Sequence, residues 1–322
     1  MAEKKPSRGH HYIPRFYLKG FSKKPNKKSK LYVYDLSLFN WWPGATNLIN
    51  IGKIRDFNRI DIEGQRIDVL ESSLSAFETE ADKVLRKIRD NGELPVEDDF
   101  VTLINFIALI AVRNPLAREG HKDFIKRVMK QILDLSIATK ERWERSVESM
   151  KETGYGKDLP DITYEKVLQF HKEGKYDIDI ANQFFYAGEF NAINTVIETL
   201  LDRRWMFIVA LPNAGHFICC DHPVRLRWND KKLAEGFYPP GHGLKRTEVI
   251  FPVTKKIAMV GSFEGENKTV EADSLMVALI NGHILDGSDR YIYSTQKEFE
   301  FLGPERKIYR SGDLKRISAH HK

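Results

Sequence analysis

Residues Asp68 to Asn91 carry apolar side chains at every third or fourth position, the spacing of an amphipathic helix. These are Leu70, Leu74, Phe77, Ala81, Leu85 and Ile88. The next segment, Phe100 to Val112, is apolar nearly all round, and it follows Glu97 and Asp98, which suit a helix N-terminus. We therefore predict a helix that covers the core with one face, followed by a central buried helix.

Helical spacing continues through the middle of the chain. Pro115 ends or kinks the buried helix, and a charged segment follows to about Met150. Its apolar stripe consists of Phe124, Val128, Ile132 and Leu135. After a loop at Gly154 to Pro160, two further helical patterns span Tyr164 to His171 and Ile178 to Leu201. The middle of the protein is thus predicted to be helical.

The spacing of apolar residues changes from helical to strand-like at Arg204, where short apolar runs begin. Trp205 to Leu211 and His216 to Cys220 flank the turn sequence Pro212-Asn213-Ala214-Gly215, which predicts a hairpin. Further strands are predicted at Thr247 to Phe251, Ile257 to Phe263 and Arg290 to Ser294, with a short helix at Asp273 to Leu285. We expect the early strand Leu31 to Tyr34 to join this sheet.

These elements predict an α+β fold in which a helical N-terminal and middle region packs on a mostly antiparallel C-terminal sheet around one shared core. We expect a basic N-terminal segment at 1–30, which contains the HHYxPRFY motif, and a basic C-terminal tail at 306–322. Between them we predict a single α+β domain at 31–305, helical over 68–203 and sheet-rich over 204–295.

Charge is concentrated at the two ends. The chain of 322 residues has a net charge of +6, but residues 1–30 carry +9 and residues 306–322 carry +5, which leaves −8 for the middle. Such ends can contact nucleic acid, or they can serve only as solubilising arms. Lysines 23, 24, 27 and 28 form one such cluster.

The compartment is predicted from what the sequence lacks. No window approaches the apolar length of a membrane span, and the start MAEKKPSRGHHYIPRF has charges where a signal peptide needs apolar residues. The two cysteines, Cys219 and Cys220, are adjacent, so they cannot form the usual staple between distant segments. We therefore expect a cytoplasmic protein without a membrane partner. The signatures of P-loop, Rossmann, hydrolase-elbow and zincin proteins are also missing.

The segment His10 to Phe21 concentrates polar side chains in apolar surroundings. Pro14 stiffens its backbone, so His10 and His11 are presented by a fixed segment. Histidines can ligate metal, move protons or bind phosphate, and Arg15 can neutralise an anion. The structural alternative is that the aromatic residues anchor the segment and the histidines satisfy backbone groups.

A second polar segment ends the apolar strand that begins at Phe217. Asp221 and His222 stand at this strand end, where they could serve as ligand and base, or Asp221 could simply start a turn with Pro223. Arg113 ends the predicted buried helix, where an unpaired guanidinium is costly. We expect a carboxylate partner for Arg113 from Asp221, Glu78 or Glu80, and anion recognition is the alternative role.

These blocks together resemble domain-of-unknown-function family 4238. The resemblance is carried by HHYIPRFYLKGFS, LYVYD, FIALIAVRNP, DRRWMFIVA, FICCDHPV, IFPVTKK and RYIYS, which span nearly the whole chain. Members more often have Thr-Ser where this chain has Cys219-Cys220, which weakens a role for a hydroxyl there. The resemblance implies a shared bacterial intracellular fold and supplies no established activity. It points to His10, His11, Pro14, Arg15, Phe16, Arg113, Pro115, Asp221, Pro223 and Pro252.

Two hypotheses follow. The first is a metal-assisted phosphodiesterase or nuclease-like enzyme that acts on nucleic acid, although neither an HNH spacing nor a D…(D/E)xK pattern is present. Its catalytic residues would be His10, His11, Asp221 and His222, its metal ligands Asp221 and His11, and its phosphate-binding residues Arg15 and Arg113. The second is a non-catalytic nucleic-acid-binding or regulatory protein that binds through its basic ends. The sequence names no cofactor beyond a candidate divalent metal, and no protein partner.

Overall fold

The computed structural model describes residues 9–58, 69–154, 162–180 and 183–318. The helices are α1 (Arg15–Leu18), α2 (Val69–Arg86), α3 (Glu97–Val112), α4 (Pro115–Ser136), α5 (Lys140–Glu152), α6 (Tyr164–Glu173), α7 (Gln183–Leu201), α8 (Lys231–Ala234), α9 (Ser274–Asp286) and α10 (Leu314–Ser318). The strands are β1 (Gly9–His11), β2 (Lys30–Asp35), β3 (Asn40–Trp41), β4 (Thr46–Asn47), β5 (Lys53–Arg55), β6 (Arg204–Ala210), β7 (Cys219–Cys220), β8 (Arg225–Trp228), β9 (Thr247–Pro252), β10 (Ile257–Ser262), β11 (Lys268–Ala272), β12 (Tyr291–Ser294), β13 (Glu300–Leu302) and β14 (Ile308–Arg310). The mixture of helices and mostly antiparallel sheets confirms the predicted α+β class.

Contacts divide the chain into two compact units. The first comprises residues 1–114 and 186–322, and the second comprises residues 115–185. The boundaries of the predicted single domain at 31–305 stay a prediction. Of the predicted basic ends, Lys4, Lys5, Arg8 and Lys322 lie outside the described residues, as does most of the loop predicted at 154–160.

Helix α3 is the centre of the first unit, as predicted. Its residues from Leu103 to Ile110 are buried except Asn105, and they pack with Val249 and Phe251 of β9 in one cluster. Helix α2 confirms the predicted amphipathic helix, and it continues as a π-helical turn to Asn91 before Gly92 ends it at φ 71°. Helices and sheets therefore share a core within this unit.

Two larger sheets complete the first unit. One has the order β11-β6-β10-β9-β8, in which only the β11-β6 pair is parallel. In the other, β2 pairs with β3, β4 and β12, and β12 also pairs with β7. The early strand therefore joins strands of the C-terminal third, as predicted, but it does so in the second of these sheets.

The predicted hairpin between residues 205–211 and 216–220 is wrong, because its two strands lie in different sheets. Strand β6 pairs with β10 and β11, whereas β7 pairs with β12. The Phe217 N–H donates to the Lys255 carbonyl at 2.9 Å, and the Ile218 N–H donates to Asn281 Oδ1 at 3.0 Å. These bonds engage the residues that would have paired with β6, so only Cys219 and Cys220 remain as a strand.

The basic tail predicted at 306–322 forms regular elements in its described part. Strands β13 and β14 pair antiparallel, and α10 follows them. Leu314 is only 4% exposed and belongs to a second apolar cluster with Ile280 and Phe301. The apolar side chains within this segment bind it to the fold, while its charged residues stay outside.

The second unit consists of α4, α5, α6 and the residues around them. Tyr164 donates its hydroxyl hydrogen bond to the Ile137 carbonyl at 3.0 Å, and His171 lies 2.5 Å from Asp134. The predicted stripe on α4 is mostly exposed, since Phe124, Ile132 and Leu135 have 59%, 51% and 62% of their surface in solvent.

No single helix in the described part of the chain is long and apolar enough to cross a membrane; only α3 and α4, taken together as a bent pair, reach that length and composition.

Candidate functional site

A cavity of about 570 Å³ opens beside the HHYIPRFYLK segment in the first unit. We call it the N-terminal cavity. Its lining residues are His11, Pro14, Arg15, Phe16, Lys19, Asn26, Lys27, Ser29, Asn47, Leu48, Ile49, Asn58, Leu74, Ser75 and Glu78. The lining thus contains most of the polar residues of that segment, and its size suits a ligand of roughly nucleotide dimensions.

The start of the chain positions His11 through backbone pairing. Strand β1 pairs with β5, and the register sets His11 opposite Lys53. The N–H groups of Tyr12 and Ile13 then both donate to the Gly52 carbonyl, at 2.9 and 3.3 Å. Gly52 has φ 60°, and a Cβ there would lie 3.1 Å from the Ile13 side chain, so glycine permits this close crossing.

Helix α1 and the 3-10 turn Lys19–Phe21 that follows it hold Arg15 and Lys19 at the cavity. The inner face of α1 is fixed by Tyr17, which stacks on Phe251 at 5.2 Å and donates its hydroxyl hydrogen bond to the Pro252 carbonyl at 2.6 Å. Arg15 and Lys19 are four positions apart on this short helical segment, so they share a face. The buried aromatic residue therefore orients two cations towards the same cavity.

The loop after α1 adds a third cation, Lys27. Ser29 organises this loop, because its hydroxyl donates to the Lys24 carbonyl at 2.9 Å or the Asn26 carbonyl at 2.7 Å and accepts from the Asn26 N–H at 2.8 Å. In the described part of the chain, none of Arg15, Lys19 and Lys27 is paired with a carboxylate. These three charges are therefore available to a ligand.

Three asparagine side chains contribute amides to the lining, and each uses its oxygen for the fold. Asn26 Oδ1 accepts from the Lys28 N–H at 2.7 Å, and Asn47 Oδ1 accepts from the Ile49 N–H at 3.0 Å. Asn58 Oδ1 accepts from the Arg113 guanidinium. The three Nδ2 groups donate to no other described residue, so the cavity is rich in unused donors.

His11 is neutral at ordinary pH in this site. Burial lowers the pKa of its imidazole to about 4; the nearby Arg15 and Lys53 charges add to this lowering, and hydrogen bonding to the Ile51 and Gly52 backbone opposes it. Its Nδ1 atom is buried and has no hydrogen-bond partner among the described residues. A bound anion would stabilise the imidazolium and raise this pKa again.

His10 and Arg113 lie behind the cavity and act on it through Asn58. His10 is 5% exposed, and its Nδ1 accepts from the Asn58 N–H at 2.8 Å. Arg113 is buried, donates to Asn58 Oδ1, and lies 6.0 Å from the Phe57 ring centre. This hydrogen bond of Arg113 goes to an amide, whereas we expected a carboxylate. Both residues therefore position a lining side chain.

Asp221 has a different role, because backbone groups occupy its carboxylate. Its two oxygens accept from the N–H groups of Asp289, Arg290 and Tyr291 at 2.9, 2.6 and 2.7 Å. Burial raises the pKa of the carboxyl group, and these three donors oppose that shift. We call Asp221 with residues 289–291 the Asp221 turn. It fixes the start of β12, whereas the turn that we weighed for Asp221 with Pro223 stays a prediction.

His222 follows Asp221 and is half-buried. Burial lowers the pKa of its imidazole, the Arg225 charge adds to the lowering, and Asp289 opposes it. Among the described residues, neither His222 nor Asp221 lines the N-terminal cavity. The structure therefore brings together His10, His11, Arg15 and Arg113, and it does not add the Asp-His pair to their cavity.

The described ranges contain no group of three or more His, Cys, Asp or Glu side chains that could hold a metal ion. The carboxylate oxygens of Asp221 already accept three backbone hydrogen bonds, so they are poorly placed to serve as free ligands. A metal shared by His11 and Asp221 stays a prediction.

Several lining residues were missed by the sequence analysis, chiefly Lys19, Asn47 and Asn58. Lys19 carried a detectable signal, because it lies four positions after Arg15 in a segment already singled out. The asparagines carried none, since in sequence they look like ordinary turn and cap residues. Their convergence depends on the fold.

The fold and site together define an α+β protein with a cationic, donor-rich cavity formed by its N-terminal motif. A family model described as "Protein of unknown function (DUF4238)" matches residues 9–298. The chain belongs to this family, as the ordered sequence blocks indicated. No curated protein and no solved structure matches the chain.

Proposed function

We propose that the chain is a nucleic-acid-binding protein and that its N-terminal cavity binds a phosphate group together with the adjoining nucleoside. The observation that carries this proposal is a set of three cations around one cavity, Arg15, Lys19 and Lys27, none of which pairs with a carboxylate among the described residues. Arginine and lysine supply the charge that phosphate contacts require, and arginine adds a planar fork of donors.

The remaining lining favours phosphate on a larger ligand over a small free anion. The Nδ2 groups of Asn26, Asn47 and Asn58, which donate to no described residue, can donate to phosphate or sugar oxygens. Glu78 places a carboxylate in the same lining, so the part of the ligand beside it should be uncharged, as a sugar or a base is. A volume of about 570 Å³ exceeds what a single phosphate fills. A nucleotide unit within a strand satisfies all three conditions.

The direct test is binding of a 5′-phosphorylated, fluorescein-labelled 12-nucleotide strand, measured by anisotropy at 50 and 200 mM salt. Arg15→Gln and Lys19→Gln should each weaken binding about tenfold and lower the salt dependence, because each removes a phosphate contact. Lys268→Gln is the matched control, since Lys268 is an exposed cation on β11 outside the cavity.

Equal affinities for wild-type protein, Arg15→Gln and Lys19→Gln would contradict the proposal, as would the absence of binding by the wild-type protein. A loss of the same size in Lys268→Gln would mean that net charge governs binding and that the cavity has no special part.

Cleavage of the phosphodiester bond is the second candidate function. It is favoured by His11, whose neutral imidazole lines the same cavity as Arg15 and can accept a proton. A pKa of about 4 makes His11 a weak base, which is why we rank cleavage second. Gel analysis of the same strand, with and without added Mg²⁺ or Mn²⁺, tests it; shortened products that disappear in His11→Ala would support cleavage.

The proposal places the protein in the cytoplasm. Both cysteines are buried free thiols, which is the state that a reducing compartment maintains. Burial raises the pKa of Cys219 to about 12, so this thiol is unreactive at neutral pH. A fluorescent fusion that accumulates outside the cytoplasm would contradict this part of the proposal.

A further inference from the structure

The loop between β8 and β9, residues 229–246, exposes several apolar side chains to solvent. Phe237 is 104% exposed and its neighbour Tyr238 is 84% exposed. Leu233 and Leu244 in the same loop are 36% and 47% exposed. Single exposed apolar residues are common, but an adjacent pair of aromatic residues that are both more than four-fifths exposed indicates a contact surface. We call residues 229–246 the aromatic loop.

Hydrogen bonds hold the backbone of the aromatic loop, although its aromatic side chains are exposed to solvent. Trp228 Nε1 donates to the Tyr238 carbonyl at 3.0 Å, directly beside the exposed pair. At the far end of the loop, buried Arg203 donates to the His242 carbonyl at 2.7 Å, and the Asn229 N–H donates to the Arg246 carbonyl at 2.9 Å. The loop therefore presents Phe237 and Tyr238 from a fixed support, which lowers the entropy lost on binding.

Cations flank the aromatic pair along the sequence. Lys231 and Lys232 precede it on α8, and Lys245 and Arg246 follow it, whereas the loop has two carboxylates, Asp230 and Glu235. The pairs Lys231–Glu235 at 3.7 Å and Arg246–Asp230 at 3.3 Å are solvent-exposed and therefore weak. The charge of the loop favours a polyanionic partner.

We infer that the aromatic loop binds single-stranded nucleic acid, with Phe237 and Tyr238 stacking on unpaired bases and the lysines contacting phosphates. Aromatic faces combined with cations are the means by which proteins bind single strands without reading sequence. A duplex buries its base faces in its own stack, so the aromatic pair discriminates against it. This inference rests on the proposed function and specifies its substrate class as single-stranded.

The test compares wild-type protein with the double variant Phe237→Ala/Tyr238→Ala. The probes are a labelled 12-nucleotide single strand, the duplex of the same sequence, and vesicles of phosphatidylcholine with phosphatidylserine. Stacking on one base contributes about 1–3 kcal/mol, so the variant should lose at least about fivefold in single-strand affinity. Duplex affinity should not change. Phe124→Ala is the matched control, because Phe124 is a 59% exposed aromatic residue on α4.

Three results would overturn the inference: unchanged single-strand affinity in the double variant, an equal loss for the duplex, or wild-type binding to the vesicles that the double variant abolishes. Comparison with Arg15→Gln separates the two proposals. If Arg15→Gln loses affinity and the loop variant does not, only the aromatic loop is refuted. If the loop variant loses affinity and Arg15→Gln does not, only the cavity is refuted.

Discussion

The N-terminal cavity and the Asp221 turn both gather polar residues at the edge of the core, yet they use them in opposite ways. In the cavity, three cations and three amides keep hydrogen-bonding capacity that no described residue uses. In the Asp221 turn three backbone N–H groups occupy both carboxylate oxygens. A polar side chain is thus a candidate for function when the fold leaves its hydrogen-bonding groups unused.

The largest expected difference between the two regions is in stability. Asp221→Asn replaces an acceptor oxygen with a donor that faces backbone N–H groups, which should reduce the free energy of unfolding by about 2–4 kcal/mol. Arg15→Gln changes an exposed side chain and should alter that free energy by less than about 0.5 kcal/mol. Urea denaturation measures both. A stable Asp221→Asn variant would show that the carboxylate is not structural.

This contrast also explains what the sequence could reveal. The all-apolar pattern of α3 and the spacing of α2 predicted those helices, because burial alone determines them. The HHYIPRFYLK segment was singled out as a candidate site because its polar groups lie within a stiff, aromatic context. Asp221 carried a similar signal, and only the positions of the N–H groups of residues 289–291, far along the chain, show that it is saturated.

The sheet topology was predicted less well, for a related reason. The sequence Pro212-Asn213-Ala214-Gly215 has the composition of a hairpin turn, but whether the flanking strands pair depends on distant partners. Lys255 and Asn281 hydrogen-bond to the residues that would have paired. Local turn signals predict a change of direction and leave the pairing to long-range contacts.

Arg113 shares features of both regions, since it is buried like Asp221 but supports the N-terminal cavity through Asn58. Arg113→Met should reduce the free energy of unfolding by about 1–3 kcal/mol, because it leaves the buried acceptor Asn58 Oδ1 without this donor. It should also weaken strand binding by a smaller factor than Arg15→Gln does. Anisotropy and denaturation on the same variant measure both effects. Unchanged affinity would mean that Asn58 needs no support from Arg113.

Buried neutral histidine gives stability a pH dependence that an exposed site lacks. Burial, with the Lys256 and Lys255 charges, lowers the pKa of His216 to about 4. The unfolded chain therefore binds a proton that the folded state does not, so the contribution of His216 is complete above about pH 6.5 and declines as pH falls towards 4.

Lowering the pH from 7.5 to 5 should reduce the contribution of His216 to the free energy of unfolding by about 1–2 kcal/mol. His216→Gln should show a correspondingly shallower decline in thermal midpoint over that range. If the wild-type protein and His216→Gln declined in parallel, the effect would have to come from other groups.

The smallest expected effect concerns the basic ends. Replacing Lys23, Lys24 and Lys28 with glutamine should reduce the salt dependence of strand affinity by the equivalent of about two to three phosphate contacts. Stability should not change, because all three side chains are exposed. Deleting residues 306–322 is a poor test, since that would remove buried Leu314. An unchanged salt dependence in the lysine variant would leave these residues as solubilisers.

The central claim, that the N-terminal cavity binds phosphate, is tested most directly by nuclear magnetic resonance of the histidine rings during titration with the 5′-phosphorylated strand. We predict that the His11 resonances shift and that the pKa of its imidazole rises from about 4, because bound phosphate stabilises the imidazolium. His216, whose pKa is also about 4, lies outside the cavity and serves as the internal control. Saturating strand that leaves the His11 resonances and pKa unchanged would contradict the claim.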